Sequence, residues 1–129
     1  MEWLDEDVVL AIHEAQIAEH GGGAGLRDRG LLVSALERPK NSAQYSGADV
    51  PELAALYAIG VIRNHPFGDG NKRVGAVLLD VFLALHDVEL TATDGELVEA
   101  ILGVASGTLS DEAFTTWVRE HCSTKRTRP

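Results

Sequence analysis

Cysteine is nearly missing from this chain. Cys122 is the one thiol among 129 residues, which excludes an internal disulfide and a thiolate zinc framework and fits a reducing, cytoplasmic setting. Long apolar runs are missing too. The longest, Val74 to Leu85, is interrupted by Asp80 and falls short of the roughly 20 residues a membrane-spanning helix needs. Positive charge is scarce: 11 Lys and Arg stand against 20 Asp and Glu, for a net charge of -9. An acidic body repels nucleic acid at long range, so direct nucleic-acid binding is not expected. A phosphorylated ligand at a locally basic point stays open. The first twenty residues carry Glu2, Asp5, Glu6, Asp7, Glu14 and Glu19 but no Lys or Arg, whereas an export signal opens on basic residues. No internal repeat is visible, and the period-two signature of strands is weak.

What remains is the balance of one globular domain, with 45% hydrophobic and 24% charged residues. We place that domain at residues 1–122 and expect a flexible basic tail at 123–129, where Lys125, Arg126 and Arg128 are the only charges. The pattern predicts an all-α bundle of about six helices. Asp5 caps a first helix that Gly21-Gly22-Gly23 stops near His20. A second spans Leu26 to Leu36 and ends before Arg38-Pro39, because the residue ahead of a proline disfavours helical geometry. Lys40 to Val50 has no helical period and reads as a loop or small hairpin. Pro51 opens a helix to Asn64. Lys72 to His86 is apolar almost all round and is expected at the centre of the bundle. Helices at Asp94 to Ala105 and Asp111 to His121 complete it, with Trp3 and Trp117 as packing anchors.

One short stretch is unlike the rest. His65-Pro66-Phe67-Gly68-Asp69-Gly70-Asn71-Lys72-Arg73 concentrates turn formers and charge just ahead of an apolar helix. Gly68 and Gly70 allow tight turns and close approach to a ligand. The helix N-terminus supplies unpaired N–H groups and the positive end of its dipole, an anion site. Lys72 and Arg73 sit where that dipole disfavours cations, which makes sense if an anion is bound there. Asp69 among phosphate binders suits magnesium, which takes one or two carboxylates plus phosphate oxygens. His65 is placed to accept a proton from an attacking hydroxyl near neutral pH. Phe67 is expected to turn inward and anchor the loop. Singly, each residue has an ordinary structural reading as turn, cap or ion pair; the density of the cluster points to a site. It is not a P-loop, a dinucleotide fingerprint or an EF-hand. His13, His20, His86 and His121 have no ligand spacing with one another or with Cys122 and carry no metal assignment.

These nine residues resemble the signature of the Fic/Doc family, H-x-F-x-(D/E/N)-(G/A)-N-(G/K)-R. The stretch from Gly25-Leu26-Arg27-Asp28 to Pro39 is similar to the segment ahead of the flap in its Doc, or death-on-curing, branch. The resemblance implies an all-α fold with a short β-hairpin flap and a nucleotide-dependent transferase using ATP and magnesium. It makes His65 the general base, Asp69 the magnesium ligand, and Gly68, Gly70, Asn71, Lys72 and Arg73 the phosphate binders, with Lys72 and Arg73 also stabilising developing charge. Lys40, Asn41, Ser42, Ala43, Gln44 and Tyr45 would lie in the flap that docks the target. Arg63 and Asn64 adjoin the motif and are read as ending their helix. Lys72 is typical of Doc, and Ala76 stands where the adenylylating branch has a second arginine. Both favour phosphate transfer, by analogy to elongation factor Tu, in a toxin that blocks translation. The Asp69-Gly70 pair looks more like the adenylylating branch, so AMP transfer stays open, as does a silent binding module. The family's inhibitory motif, (S/T)-x-x-x-E-(G/N), is absent, which implies restraint by a separate Phd-like antitoxin.

Overall fold

A computed structural model describes residues 1–124. Six helices follow in order: α1 (Glu6–His20), α2 (Arg29–Ser46), α3 (Val50–Asn64), α4 (Asn71–Leu85), α5 (Asp94–Ser106) and α6 (Asp111–Glu120). The short strands β1 (Val88–Leu90) and β2 (Cys122–Thr124) pair antiparallel, with Glu89 opposite Ser123. The fold is thus the all-α bundle expected. No helix among the described residues is long and apolar enough to cross a membrane.

Local chemistry sets most boundaries. Five helices begin at a side-chain cap that accepts from a first-turn N–H: Asp5 from Val8, Asp28 from Leu31, Asp49 from Glu52, Thr93 from Glu96 and Ser110 from Ala113. Left-handed glycines close α2 and α5, at Gly47 and Gly107.

The enclosed helix is α3, and this corrects the expectation that Val74 to Leu85 would lie at the centre. Ten consecutive residues of α3, Leu53 to Ile62, are buried. α4 keeps an outer side, with Asp80 and Leu85 exposed. Size explains the difference better than hydropathy does. Ala54, Ala55, Ala58 and Gly60 let neighbouring helices close on α3 from every direction, so small residues mark the crowded helix. At Gly60 a β-carbon would stand 3.0 Å from Ala35 Cβ and 3.2 Å from Ala35 Cα. Gly60→Ala is therefore expected to destabilise the fold by about 1–2 kcal/mol in urea unfolding, since overpacking outweighs alanine's helix preference.

The second helix is longer than the sequence suggested. Lys40 to Ser46 are its last two turns, not a loop or hairpin, and Pro39 lies inside it. Proline normally breaks a helix interior by removing an N–H and crowding the preceding turn. Here Pro39 is buried, and the Ala35 carbonyl that loses its donor faces side-chain-free Gly60. Packing against α3 thus carries the helix across the proline. The residues assigned to the flap, Lys40, Asn41, Ser42, Ala43, Gln44 and Tyr45, are all helical, with Tyr45 79% exposed. The small antiparallel pair is β1–β2, at the far end of α4. Ser123 and Thr124, expected in a flexible tail, are strand residues; the rest of that tail, residues 125–129, lies outside the described residues. The tryptophans do not meet: Trp3 stacks on Phe82, and Trp117 on Phe114 and His121.

Candidate functional site

The nine-residue cluster connects α3 to α4, the two helices that pack most extensively against each other. His65 closes α3 in a left-handed conformation (φ 56°, ψ 52°), which is uncommon outside glycine and costs energy unless neighbours hold it. They do hold it. The Arg27 guanidinium donates from Nε to the His65 carbonyl at 2.8 Å and from Nη2 to the Asn64 carbonyl at 3.3 Å. The Arg27 and Asp28 N–H groups donate to the Pro66 carbonyl at 2.7 and 2.9 Å, and Leu26 bridges to Phe67. The 25–28 segment is thus a brace for the motif. Meanwhile the imidazole of His65 is exposed and makes no hydrogen bond to any described residue, so it is free to meet an incoming group.

Phe67 turns inward as expected. It is fully buried and stacks on the ring of His13 from α1, with centroids 3.8 Å apart and planes 5° from parallel. Asn71 staples the turn: its Oδ1 accepts from the Phe67 N–H at 3.0 Å, and its Nδ2 donates to the Phe67 carbonyl at 2.9 Å. That side chain is buried and shapes the loop from inside. The Asn71 side chain is thereby occupied within the turn.

Helix α4 differs from its five companions at its start. Its cap residue is Gly70 (φ 83°), which has no side chain to cap the first turn, and the first internal bond runs from the Val74 N–H to the Gly70 carbonyl. The N–H groups of the first turn are therefore open to an external acceptor. The positive φ of Gly70 favours glycine, and an Ile17 methyl 3.4 Å from where a β-carbon would stand leaves little space to spare. Lys72 is exposed beside these amides. Arg73 is half-buried, and its Nη2 donates to the Gly21 carbonyl at 3.1 Å, while its Nε is buried and has no partner among the described residues. An unpartnered cationic N–H on a residue of the same helical turn as the open amides is a combination that an anion's oxygens would satisfy.

Asp69 lies across the turn. Its Oδ1 accepts from the Gly70 N–H at 2.8 Å and its Oδ2 from the Gly23 N–H at 3.3 Å. Those amide bonds, Gly70's foremost, hold its carboxyl below the usual carboxylate range, with Arg73 and Lys72 adding to the effect. Asp69 is thus ionised and exposed, with lone pairs to spare for a hard cation such as magnesium. The glycine run behind α1 forms the wall of this corner: a β-carbon on Gly22 would lie 2.5 Å from Asp69 Oδ2. An apolar groove of about 230 Å³ opens next to Lys72 and Arg73, between α4 and the Leu97–Leu102 face of α5.

Gly68, Asp69, Gly70, Asn71, Lys72 and Arg73 therefore share one turn and helix start, with His65 at its entrance. The Lys40–Tyr45 residues form a separate element, the end of α2. Arg63 and Asn64 serve the scaffold. Arg63 pairs with Asp111 at 2.7 Å, and the Asn64 amide donates to the Leu31 carbonyl. Three contributors escaped the sequence reading: His13, the Gly21–Gly23 wall, and the bracing role of Arg27. For His13 a signal existed, since it follows Val9 by four residues on the buried face of α1.

Comparison with known proteins finds a family and two relatives. A family model described as the Fic/DOC family matches residues 3–83. The chain is 29% identical over 111 residues to "Protein kinase doc" of Escherichia phage P1, covering 85% of this chain and 87% of that protein. It is 38% identical over 95 residues to "Toxin Doc" of Mycolicibacterium smegmatis (strain ATCC 700084 / mc(2)155), covering 70% and 69% respectively.

Proposed function

The chain belongs to the Fic/DOC family, and from that membership we propose that it is a Doc-like toxin kinase, moving the terminal phosphate of ATP onto a hydroxyl of a protein target. The observation that carries this reading is the start of α4: an uncapped amide nest flanked by Lys72 and by an Arg73 whose Nε lacks a partner. First-turn N–H groups, Lys72 and Arg73 hold phosphate oxygens and oppose the charge that develops during transfer. Asp69 holds magnesium, which when bound neutralises phosphate charge. The groove beside Lys72 and Arg73 is apolar enough for a nucleobase.

In the reaction, the target hydroxyl oxygen bonds to the terminal phosphorus while the bond to the bridging oxygen breaks and ADP departs. The hydroxyl proton passes to the imidazole of His65, which is exposed and unengaged. Phosphate rather than AMP is favoured by Lys72, by Ala76 in place of a second arginine, and by the likeness to a relative named a protein kinase. The target by family analogy is elongation factor Tu, so the outcome is arrested translation. Restraint falls to a separate Phd-like antitoxin, because the chain lacks the family's inhibitory motif.

Adenylyl transfer is the second reading, favoured by the Asp69-Gly70 pair. Incubation with elongation factor Tu, magnesium and ATP labelled at either the α or the γ phosphate separates the two. Label is expected on the target from γ-labelled ATP alone. Label from the α position would establish AMP transfer instead, and no label from either, with nucleotide still bound, would reduce the protein to a binding module.

A further inference from the structure

His13 lies on α1, more than fifty residues from the motif in sequence, yet it supports the motif at two points. Its ring, only 5% exposed, lies flat on Phe67. Its Nε2 stands 2.9 Å from the backbone oxygen of Asp69. A carbonyl oxygen can only accept, so Nε2 must carry a hydrogen and donate it. We infer that His13 is a positioning residue for the cation site: its Nε2–H fixes the Asp69 carbonyl, and through it the direction in which the Asp69 carboxylate faces the metal and phosphates.

The surrounding geometry makes that carbonyl the natural point of control. The Asp69 carboxylate is already oriented by the amides of Gly70 and Gly23, so two bonds fix the far end of the side chain. The main chain that carries it lies between Gly68 and Gly70, the two most permissive residues of the turn. Without a tether at the Asp69 carbonyl, the peptide joining Asp69 to Gly70 can rotate. The Gly70 N–H would then turn away from the carboxylate, and the cap of α4 would turn with it. Hydrogen bonds that orient a metal ligand from behind commonly control affinity as strongly as this arrangement implies.

Stacking and donation can be separated by substitution. Phenylalanine keeps an aromatic ring on Phe67 but has no donor; glutamine keeps an N–H near the position of Nε2 without the ring. Because this inference rests on the proposed nucleotide site, one measurement is made without ligand. Long-range ¹H–¹⁵N spectra of the free protein are expected to show His13 with its proton on Nε2 and slow to exchange. A proton found on Nδ1 alone would overturn the assignment, whatever the protein binds. Calorimetry with magnesium and a non-hydrolysable ATP analogue forms the second arm, with melting temperature followed in parallel. His13→Phe is expected to weaken binding about 10- to 100-fold, and His13→Gln to stay within about threefold of the unsubstituted chain. Equal binding by the phenylalanine variant, or an equal loss in both variants, would refute a positioning role. If the unsubstituted chain takes no magnesium–nucleotide, the functional reading fails, and the free-protein spectrum still decides the role of His13.

Discussion

His65→Ala is expected to lower phosphate transfer by about 10²–10⁴-fold, the usual loss when a positioned general base is removed, while leaving nucleotide binding close to its original strength. The separation follows from geometry. The imidazole bonds to no described residue and stands at the entrance of the turn, while the groups proposed to hold phosphate lie further along, at the start of α4. Stability must be checked alongside, because residue 65 has a positive φ. Alanine tolerates that region less well than histidine or asparagine. His65→Asn therefore belongs in the same experiment. Asparagine accepts the backbone conformation and cannot act as the base, so it should be as inactive as alanine and at least as stable. In cells, both substitutions should abolish growth arrest. Arrest that survives either one would mean the protein acts by binding and transfers nothing.

Arg73→Ala carries the second large effect, about 10²–10³-fold in transfer rate, the common loss on removing one preorganised charge stabiliser. Here nucleotide affinity should fall as well. The guanidinium bonds the Gly21 carbonyl through Nη2 and has an Nε without a partner among the described residues, so its removal takes away both an anchor and a charge. Arg73→Lys should recover little of the loss. An ammonium is a point charge and cannot bond Gly21 with one arm while turning another N–H toward a ligand. Steady-state rates and calorimetric affinities for the two variants, set against His65→Ala, would distinguish a phosphate binder from a base. Loss of affinity should accompany the arginine substitutions alone. A transfer rate unchanged in Arg73→Ala would contradict the role given to it.

Much of this was legible in the sequence because short-range chemistry wrote it there. Asp5, Thr93 and Ser110 cap the helices they precede, and the His65–Arg73 cluster stood out by density alone. What escaped was decided by tertiary contact. Pro39 reads as a stop, and only the bare backbone of Gly60 opposite Ala35 shows why the helix continues. β1 and β2 are three residues each, too short for any alternation to show. α3 and α4 are similarly apolar, so hydropathy does not tell them apart; the alanines and Gly60 of α3 are what allow its complete enclosure. His13 bears on the motif only because α1 packs against the start of α4, a pairing no spacing along the chain encodes. The same holds for Arg27, whose partners are carbonyls nearly forty residues away.

Those carbonyls have a bearing on how such a protein diversifies. The braces that reach the turn from elsewhere in the chain seize its main chain: Arg27 takes the oxygens of Asn64 and His65, the Arg27 and Asp28 amides take that of Pro66, and His13 takes that of Asp69. Main-chain oxygens survive an exchange of side chain, so these braces stay in place wherever the side chain is not itself part of the scaffold, as those of Phe67 and Asn71 are. Outward-facing positions such as Lys72 can be exchanged, and new chemistry sampled, without the architecture having to be reinvented.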